Sequence, residues 1–211
     1  PYENAIKMIQ LPAEEGEKVH QFHDNSFRLY GLPAPDEGNV VGVIGENVTG
    51  KSVALKILAG DITPKLGDFE NPPEWEEIQE RYRGTDLHNH FSKLAEEDVE
   101  AALKPQKVEN IPEAYEGKVR ELLEGVAERK EVKEVAEQLD IEKLLDREVD
   151  VLSGGELQRV AIASTVLKEA DIYMIDEPSS FLDVKQRLNM GEEIRKLGEE
   201  NPVLAVEHDL A

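Results

Sequence analysis

The sequence predicts an α/β domain built on a largely parallel sheet, and three observations carry that reading. "VVGVIG" (Val40–Gly45), "DIYMIDEP" (Asp171–Pro178) and "VLAVEHD" (Val203–Asp209) are apolar, β-branched-rich runs, the pattern of strands covered on both faces. The segments between them keep helical spacing, so strands and helices alternate. The first run leads into the frame Gly45-x4-Gly50-Lys51-Ser52 and then a helix; strand, glycine-bearing loop and helix in that order make a phosphate-binding loop.

The elements can be justified in chain order. "SFRLYG" (Ser26–Gly31) alternates apolar and polar residues, as a half-buried strand does. After the loop, Lys51–Ala59 continues as a helix packing through Leu55, Ile57 and Leu58, and Gly60 suits its C-terminal cap. Residues 71–104 read as a helix-loop-helix insert: a Pro-Pro helix start, a pattern through Arg83, a break at Gly84 and a second helix after Thr85. Lys118–Leu145 is charged and helical. In "LSGGELQRVAIASTVLKEA", Leu157, Val160, Ala161 and Leu167 hold helical spacing. Val184–Gly198 returns as a helix.

Composition narrows the class. No apolar run approaches the ~18 residues of a membrane span, and "PYENAIKMIQ" has no basic flank followed by an apolar stretch, so no signal peptide is read there. Cysteine is absent, which excludes disulfides and thiolate metal sites within these residues. A cytoplasmic protein is the expectation. The 46 Asp and Glu against 24 Lys and Arg give a net charge of −22. That field favours solubility and repels nucleic acid at low salt; a solvated acidic surface or adaptation to a salty cytosol, where screening acts over a few ångströms, accounts for it.

The candidate chemistry sits at strand ends. In a phosphate loop, backbone N–H groups cradle phosphates at a helix N-terminus; Lys51 would reach the β- and γ-phosphates and the Ser52 hydroxyl would bind Mg2+. The Asp171–Pro178 strand delivers Asp176 and Glu177 at its carboxyl end, where α/β sheets bind ligands. Asp176 is placed to hold Mg2+ through water and Glu177 to orient and polarise an attacking water. "LSGGELQR" (Leu152–Arg159) supplies a second anion site: Ser153 as N-cap, then Gly154, Gly155 and Glu156 opening a helix.

With that segment the sequence resembles the ATP-binding cassette (ABC) family, whose LSGG[Q/E] signature contacts the γ-phosphate of ATP held by a partner nucleotide-binding domain. Phosphate loop, signature, "IDEP", "SSFLD" (Ser179–Asp183) and "EHD" (Glu207–Asp209) occur in the family's order. The resemblance implies a RecA-like parallel core, an antiparallel β subdomain and a helical signature subdomain. It implies ATP and Mg2+ as ligands, with Gly45, Asn47, Gly50, Lys51, Ser52 and Val53 in the phosphate loop. Gln106, in "KPQ", matches the loop glutamine that senses Mg2+ and the water; His208 matches the γ-phosphate histidine; Asp183 matches the loop that communicates across the dimer. For adenine stacking, Phe22 and Phe27 are the aromatic candidates before the loop.

Within that family, "NSFRLYGLPAP", "ALKILAG", "NPPEWEEI", "YRGTDLHNHF", "KPQKVENIP" and "YMIDEPSSFLDVKQRL" resemble the first nucleotide-binding domain of the ribosome-recycling ABC ATPases, the RNase L inhibitor family of archaea and eukaryotes. The resemblance implies a two-cluster iron–sulfur domain upstream, of which residues 1–10 look like the tail; residues 11–211 are then a C-terminally truncated first nucleotide-binding domain. The implied partners are a second nucleotide-binding domain of the same polypeptide, the small ribosomal subunit (rRNA and protein, touched by the 71–104 insert) and a release factor, with no membrane. The implied activity is ATP hydrolysis coupled to subunit splitting, near-silent in the isolated fragment.

Two other readings stay open, the first of them through departures from the family pattern. Val48 replaces a loop glycine, which costs about 1 kcal/mol or more if φ there is positive. Val53 replaces a hydroxyl residue, a loss of about 0.5–1.5 kcal/mol. A degenerate nucleotide-binding scaffold is therefore one alternative, and the ATPase subunit of an ABC transporter is the other. Arg81, Arg83 and Lys93 are local basic spots on the insert that would ease contact with rRNA despite the acidity.

Overall fold

The computed structural model describes residues 7–10, 17–24, 26–45 and 50–207. Five parallel strands form the central sheet: β1 (Lys7–Gln10), β4 (Val40–Ile44), β5 (Ala101–Lys104), β6 (Ile172–Asp176) and β7 (Val203–Glu207), in the order β1-β4-β7-β6-β5. The three apolar runs recognised in the sequence are the three inner strands. Two short strands, β2 (His20–Gln21) and β3 (Arg28–Leu29), make a separate antiparallel hairpin.

Strand residues divide between two cores by parity. Val40, Ala102, Tyr173, Ile175 and Val203 face one layer, packed with Val160, Ile162, Val166, Ile194 and Leu197. Those residues come from α7 (Gly154–Leu167) and α8 (Val184–Glu200), and the short helices α4 (Ile111–Ala114), α5 (Val119–Glu124) and α6 (Val132–Gln138) lie between β5 and α7 along the chain. Val41, Val43, Ile172, Met174, Leu204 and Val206 face the other layer, with Leu55, Ile57 and Leu58 of α1 (Lys51–Leu58), the hairpin residue Leu29, and the insert. Both faces are covered, which is why the inner strands read as unbroken apolar runs. Among the described residues no helix is long and apolar enough to cross a membrane.

The insert consists of α2 (Trp75–Arg81) and α3 (Leu87–Ala95). Its own centre is Phe91, fully buried, with Tyr82 at 4.7 Å and Trp75 at 6.5 Å between ring centroids. His90 Nε2 lies 2.8 Å from the carbonyl of Leu58, which docks the insert onto the end of α1.

Three boundaries differ from the sequence reading. The insert ends before residue 101, because Ala101–Lys104 is the edge strand β5 paired with β6. "EEDVEAALK" consists largely of helix formers, so local propensity extends α3; pairing and burial override it, and the backbone turns at Glu97, with φ +56. At the other end, Lys7–Gln10, expected in the tail of a preceding unit, pairs with β4 from Lys7↔Val41 to Gln10↔Ile44. Four residues with Met8 exposed carry little strand signal. The vacant edge of β4 supplies the pairing. The strand read over Ser26–Gly31 shortens to Arg28–Leu29.

Candidate active site

The phosphate loop connects β4 to α1. Gly50 precedes the helix in the left-handed region, φ +86, and a Cβ there would run into the Phe27 ring. Glycine is therefore required twice, by the backbone and by the ring beside it. The buried Lys51 ammonium turns back to donate to the Gly45 carbonyl. Burial lowers its pKa, and Asp176 and Glu177 oppose that shift. Ser52 Oγ donates to Asp176 Oδ2 at 2.9 Å, joining two residues 124 positions apart. Val53 is half-buried against the core that holds α1. Asn47, like Val48, lies outside the described residues.

The carboxyl end of β6 is held from several sides. Asp176 is buried, and Glu177 adopts φ +50, a left-handed conformation that costs a non-glycine residue of order 1 kcal/mol and persists only where neighbours enforce it. Those neighbours are present. The Glu177 N–H donates to the Val206 carbonyl at 2.9 Å. The buried Gln158 amide donates to the carbonyls of Glu177 at 2.7 Å and Pro178 at 3.0 Å. The Glu177 carboxylate accepts from Gln106 Nε2 at 3.2 Å and from Ser180 Oγ at 3.2 Å. Beneath it, the Lys104 ammonium donates to the carbonyls of Asp176 at 2.7 Å and Pro105 at 3.0 Å. Burial pushes Lys104 down to about 8, against the pull of Asp176, Glu177, Glu207 and Glu109. The Glu207 carboxylate accepts from the Ser179 N–H at 2.9 Å. His208, the next residue, lies outside the described residues.

The two candidate aromatics share the β2–β3 hairpin. Ser26 Oγ staples its turn, accepting from the N–H of Phe22 at 3.1 Å and of His23 at 2.8 Å. Phe22 is exposed and meets the buried His20 ring edge-on at 4.6 Å. Phe27 is half-buried and lies against Gly50. Of the two, Phe22 has the more accessible ring.

The signature opens α7. Ser153 donates twice to Glu156 Oε2, through N–H and Oγ, each at 2.8 Å. Arg147 pairs with the other oxygen of Glu156 at 2.7 Å. These contacts, led by the Ser153 backbone N–H, hold the Glu156 carboxyl below its ordinary range. Phe181 covers the turn: a Cβ on Gly155 would meet the Phe181 carbonyl oxygen at 2.7 Å, whereas one on Gly154 would sit 3.6 Å from its ring. Asp183 caps α8 reciprocally with Gln186, accepting from its N–H at 2.9 Å while the Gln186 amide oxygen accepts from the Asp183 N–H at 3.1 Å.

The structure thus brings Lys51, Ser52, Gln106, Asp176 and Glu177 to one end of the sheet. Sequence reasoning overlooked Lys104, Gln158, Ser180 and Glu207 there. Lys104 follows "AAL" in a stretch that reads as helix, and nothing in it signals burial. Ser180 stands three residues from Glu177 in a polar turn, a signal that was available. The Ser52 hydroxyl, the Asp176 carboxylate and the Gln106 amide oxygen are hard oxygen donors of the kind Mg2+ takes beside water and phosphate oxygens.

Comparison with known proteins identifies the family. Residues 35–180 match the family model described as ABC transporter, and the chain belongs to the ATP-binding cassette family, on the branch that holds the RNase L inhibitor. It is 49% identical over 215 residues to translation initiation factor RLI1 of Saccharomyces cerevisiae, covering 99% of this chain and 35% of that protein. A solved structure of an RNase-L Inhibitor superposes with a TM-score of 0.87 at 48% identity, over 93% of this chain and 38% of that one. A complex of the archaeal ribosomal stalk protein aP1 with the archaeal ribosome recycling factor aABCE1 gives 0.86 at 48% identity, over 92% and 38%. The chain spans about a third of the length of the curated relatives it matches, as the 35% coverage shows.

Proposed function

We propose that this chain is the first nucleotide-binding domain of a ribosome-recycling ATPase. The observation that carries this is the Ser52–Asp176 hydrogen bond, which joins the phosphate loop to the β6 acid, with the Gln106–Glu177 pair beside it. In this reading the loop amides and Lys51 bind the β- and γ-phosphates. Ser52, Asp176 and Gln106 hold Mg2+, which neutralises charge that builds on the phosphoryl oxygens. Glu177, steadied by Gln106 and Ser180, takes a hydrogen bond from the attacking water and orients it in line. Phe22 and Phe27 supply the face for adenine, and His208 reaches the γ-phosphate.

The signature completes a second site. Ser153, Gly154, Gly155 and Glu156 would contact the γ-phosphate of ATP held by a second nucleotide-binding domain, and the Asp183 loop would lie across that interface. The relatives' greater length supports a longer protein, with the second domain after this one and an iron–sulfur domain before it. Closure on two ATP molecules would drive ribosomal subunits apart in the cytoplasm, with the α2–α3 insert against the small subunit and a release factor engaged. An acidic surface of this kind suits a concentrated-salt cytosol.

Isothermal titration with Mg·ATP in concentrated KCl tests the core of this reading. One-site binding by the wild-type chain, lost in Lys51→Ala, is expected; a folded wild type that gives no binding would leave the scaffold reading in place. Turnover by the chain alone should be near zero and should rise when the second domain is restored.

A further inference from the structure

A lysine with under 2% of its side chain exposed is costly, because desolvation of an ammonium disfavours its charged form. Lys104 is such a residue, and the phosphate chemistry described above makes no use of it. It is the last residue of β5, opposite Ile175 in the ladder. The next residue, Pro105, has no N–H to donate, yet the Asp176 carbonyl at the neighbouring strand end receives a donor: the Lys104 ammonium, at 2.7 Å. The same ammonium holds the Pro105 carbonyl at 3.0 Å, one residue before Gln106. Charge-assisted hydrogen bonds in a buried setting are among the stronger ones available. By contrast, the direct link above them, Gln106 to Glu177 at 3.2 Å, is exposed.

Resting on the nucleotide-binding reading, we propose that Lys104 is a positioning residue that ties the backbone of Asp176 to the start of the Gln106 loop and so sets the Mg2+-binding oxygens relative to one another. Among the described residues its hydrogen bonds go to these two backbone carbonyls and to no group expected to react. Its cation also lies among Asp176, Glu177, Glu207 and Glu109, so it offsets the repulsion of carboxylates gathered at one strand end. A merely structural lysine would support stability without favouring one ligand over another. A positioning lysine supports the Mg2+-dependent part of nucleotide affinity.

The test compares ATP affinity with Mg2+ and with EDTA, by equilibrium titration of a fluorescent ribose-labelled ATP, for the wild-type chain and Lys104→Met. In EDTA the two should agree within about twofold, since the phosphate loop is untouched. The enhancement that Mg2+ confers should fall by about fivefold or more in the variant, the equivalent of roughly 1 kcal/mol. An unchanged enhancement, or equal losses with and without Mg2+, overturns the inference while leaving nucleotide binding intact. A wild-type chain that binds no Mg·ATP overturns both. Should Lys104→Met fail to fold, Lys104→Gln keeps a donor without the charge, and the same ratio decides.

Discussion

The phosphate loop and the signature loop are both glycine-bearing turns at a helix N-terminus, but they are built to different degrees of completion. At the first, Gly50 lies under Phe27, Lys51 is buried against the Gly45 carbonyl, and Ser52 reaches across the sheet to Asp176. Partners come from the end of β4, from β6 and from the hairpin. At the second, the contacts are mostly local: Ser153 is satisfied by Glu156 three residues on, Glu156 by Arg147, and Ser153 and Gly154 stay exposed. The first site is assembled by the fold of one chain. The second presents a preformed helix end whose first residues, Ser153 and Gly154, stay open.

Breaking the first site should have the largest effect. Lys51→Ala removes the buried cation at the start of α1 and should weaken ATP binding by about 100-fold or more, as loss of strong charge-assisted contacts does; titration calorimetry reads it, and Ser153→Ala should leave affinity in the isolated chain unchanged. The second site should yield next, through its backbone. Gly155→Ala drives a methyl to 2.7 Å from the Phe181 carbonyl oxygen and should cost about 1–3 kcal/mol in a denaturation midpoint. Gly154→Ala, with ordinary contact to the Phe181 ring, should stay within about 0.5 kcal/mol.

Smaller changes sharpen the contrast. Val53→Thr restores a hydroxyl at the first site and should tighten ATP by up to about tenfold; no gain would mean that position 53 serves packing alone. The smallest effect concerns Glu156, whose carboxyl is held below its ordinary value of 4.5, first by the Ser153 N–H. A depressed acid contributes stability that is fully present above the unfolded value and lost as pH falls through the folded one. Glu156→Gln should therefore flatten the fall in melting temperature below about pH 4.5 without moving ATP affinity; an identical acid limb in wild type and variant would dismiss the contribution.

The difference between the sites also explains how far each was legible. The Ser153–Glu156 cap of the signature could be read because its partners are neighbours in sequence, and a serine followed by glutamate three residues on is a local device. The Lys51, Ser52, Asp176 and Glu177 set was legible from strand ends and spacing. Its supports were not. Gln158 belongs to the signature helix yet serves the backbone of Glu177, and Lys104 sits in residues that favour helix until β6 pairs with them. Phe27 is a candidate base-stacking ring by sequence, and the fold additionally places it over Gly50.

What the sequence determined by itself was everything governed by short range. Apolar runs made the inner strands, their unbroken character marked a sheet covered on both sides, and loop motifs at strand ends located the phosphate site. Tertiary structure alone decided the edges and the bracing: that Lys7–Gln10 and Ala101–Lys104 complete the sheet, that Glu177 is held at positive φ, and that a buried lysine links two strand ends. The physical reason is the same in each case. Edge pairing and buried polar contacts depend on partners tens of residues or more distant, and a residue's own propensity carries no record of them.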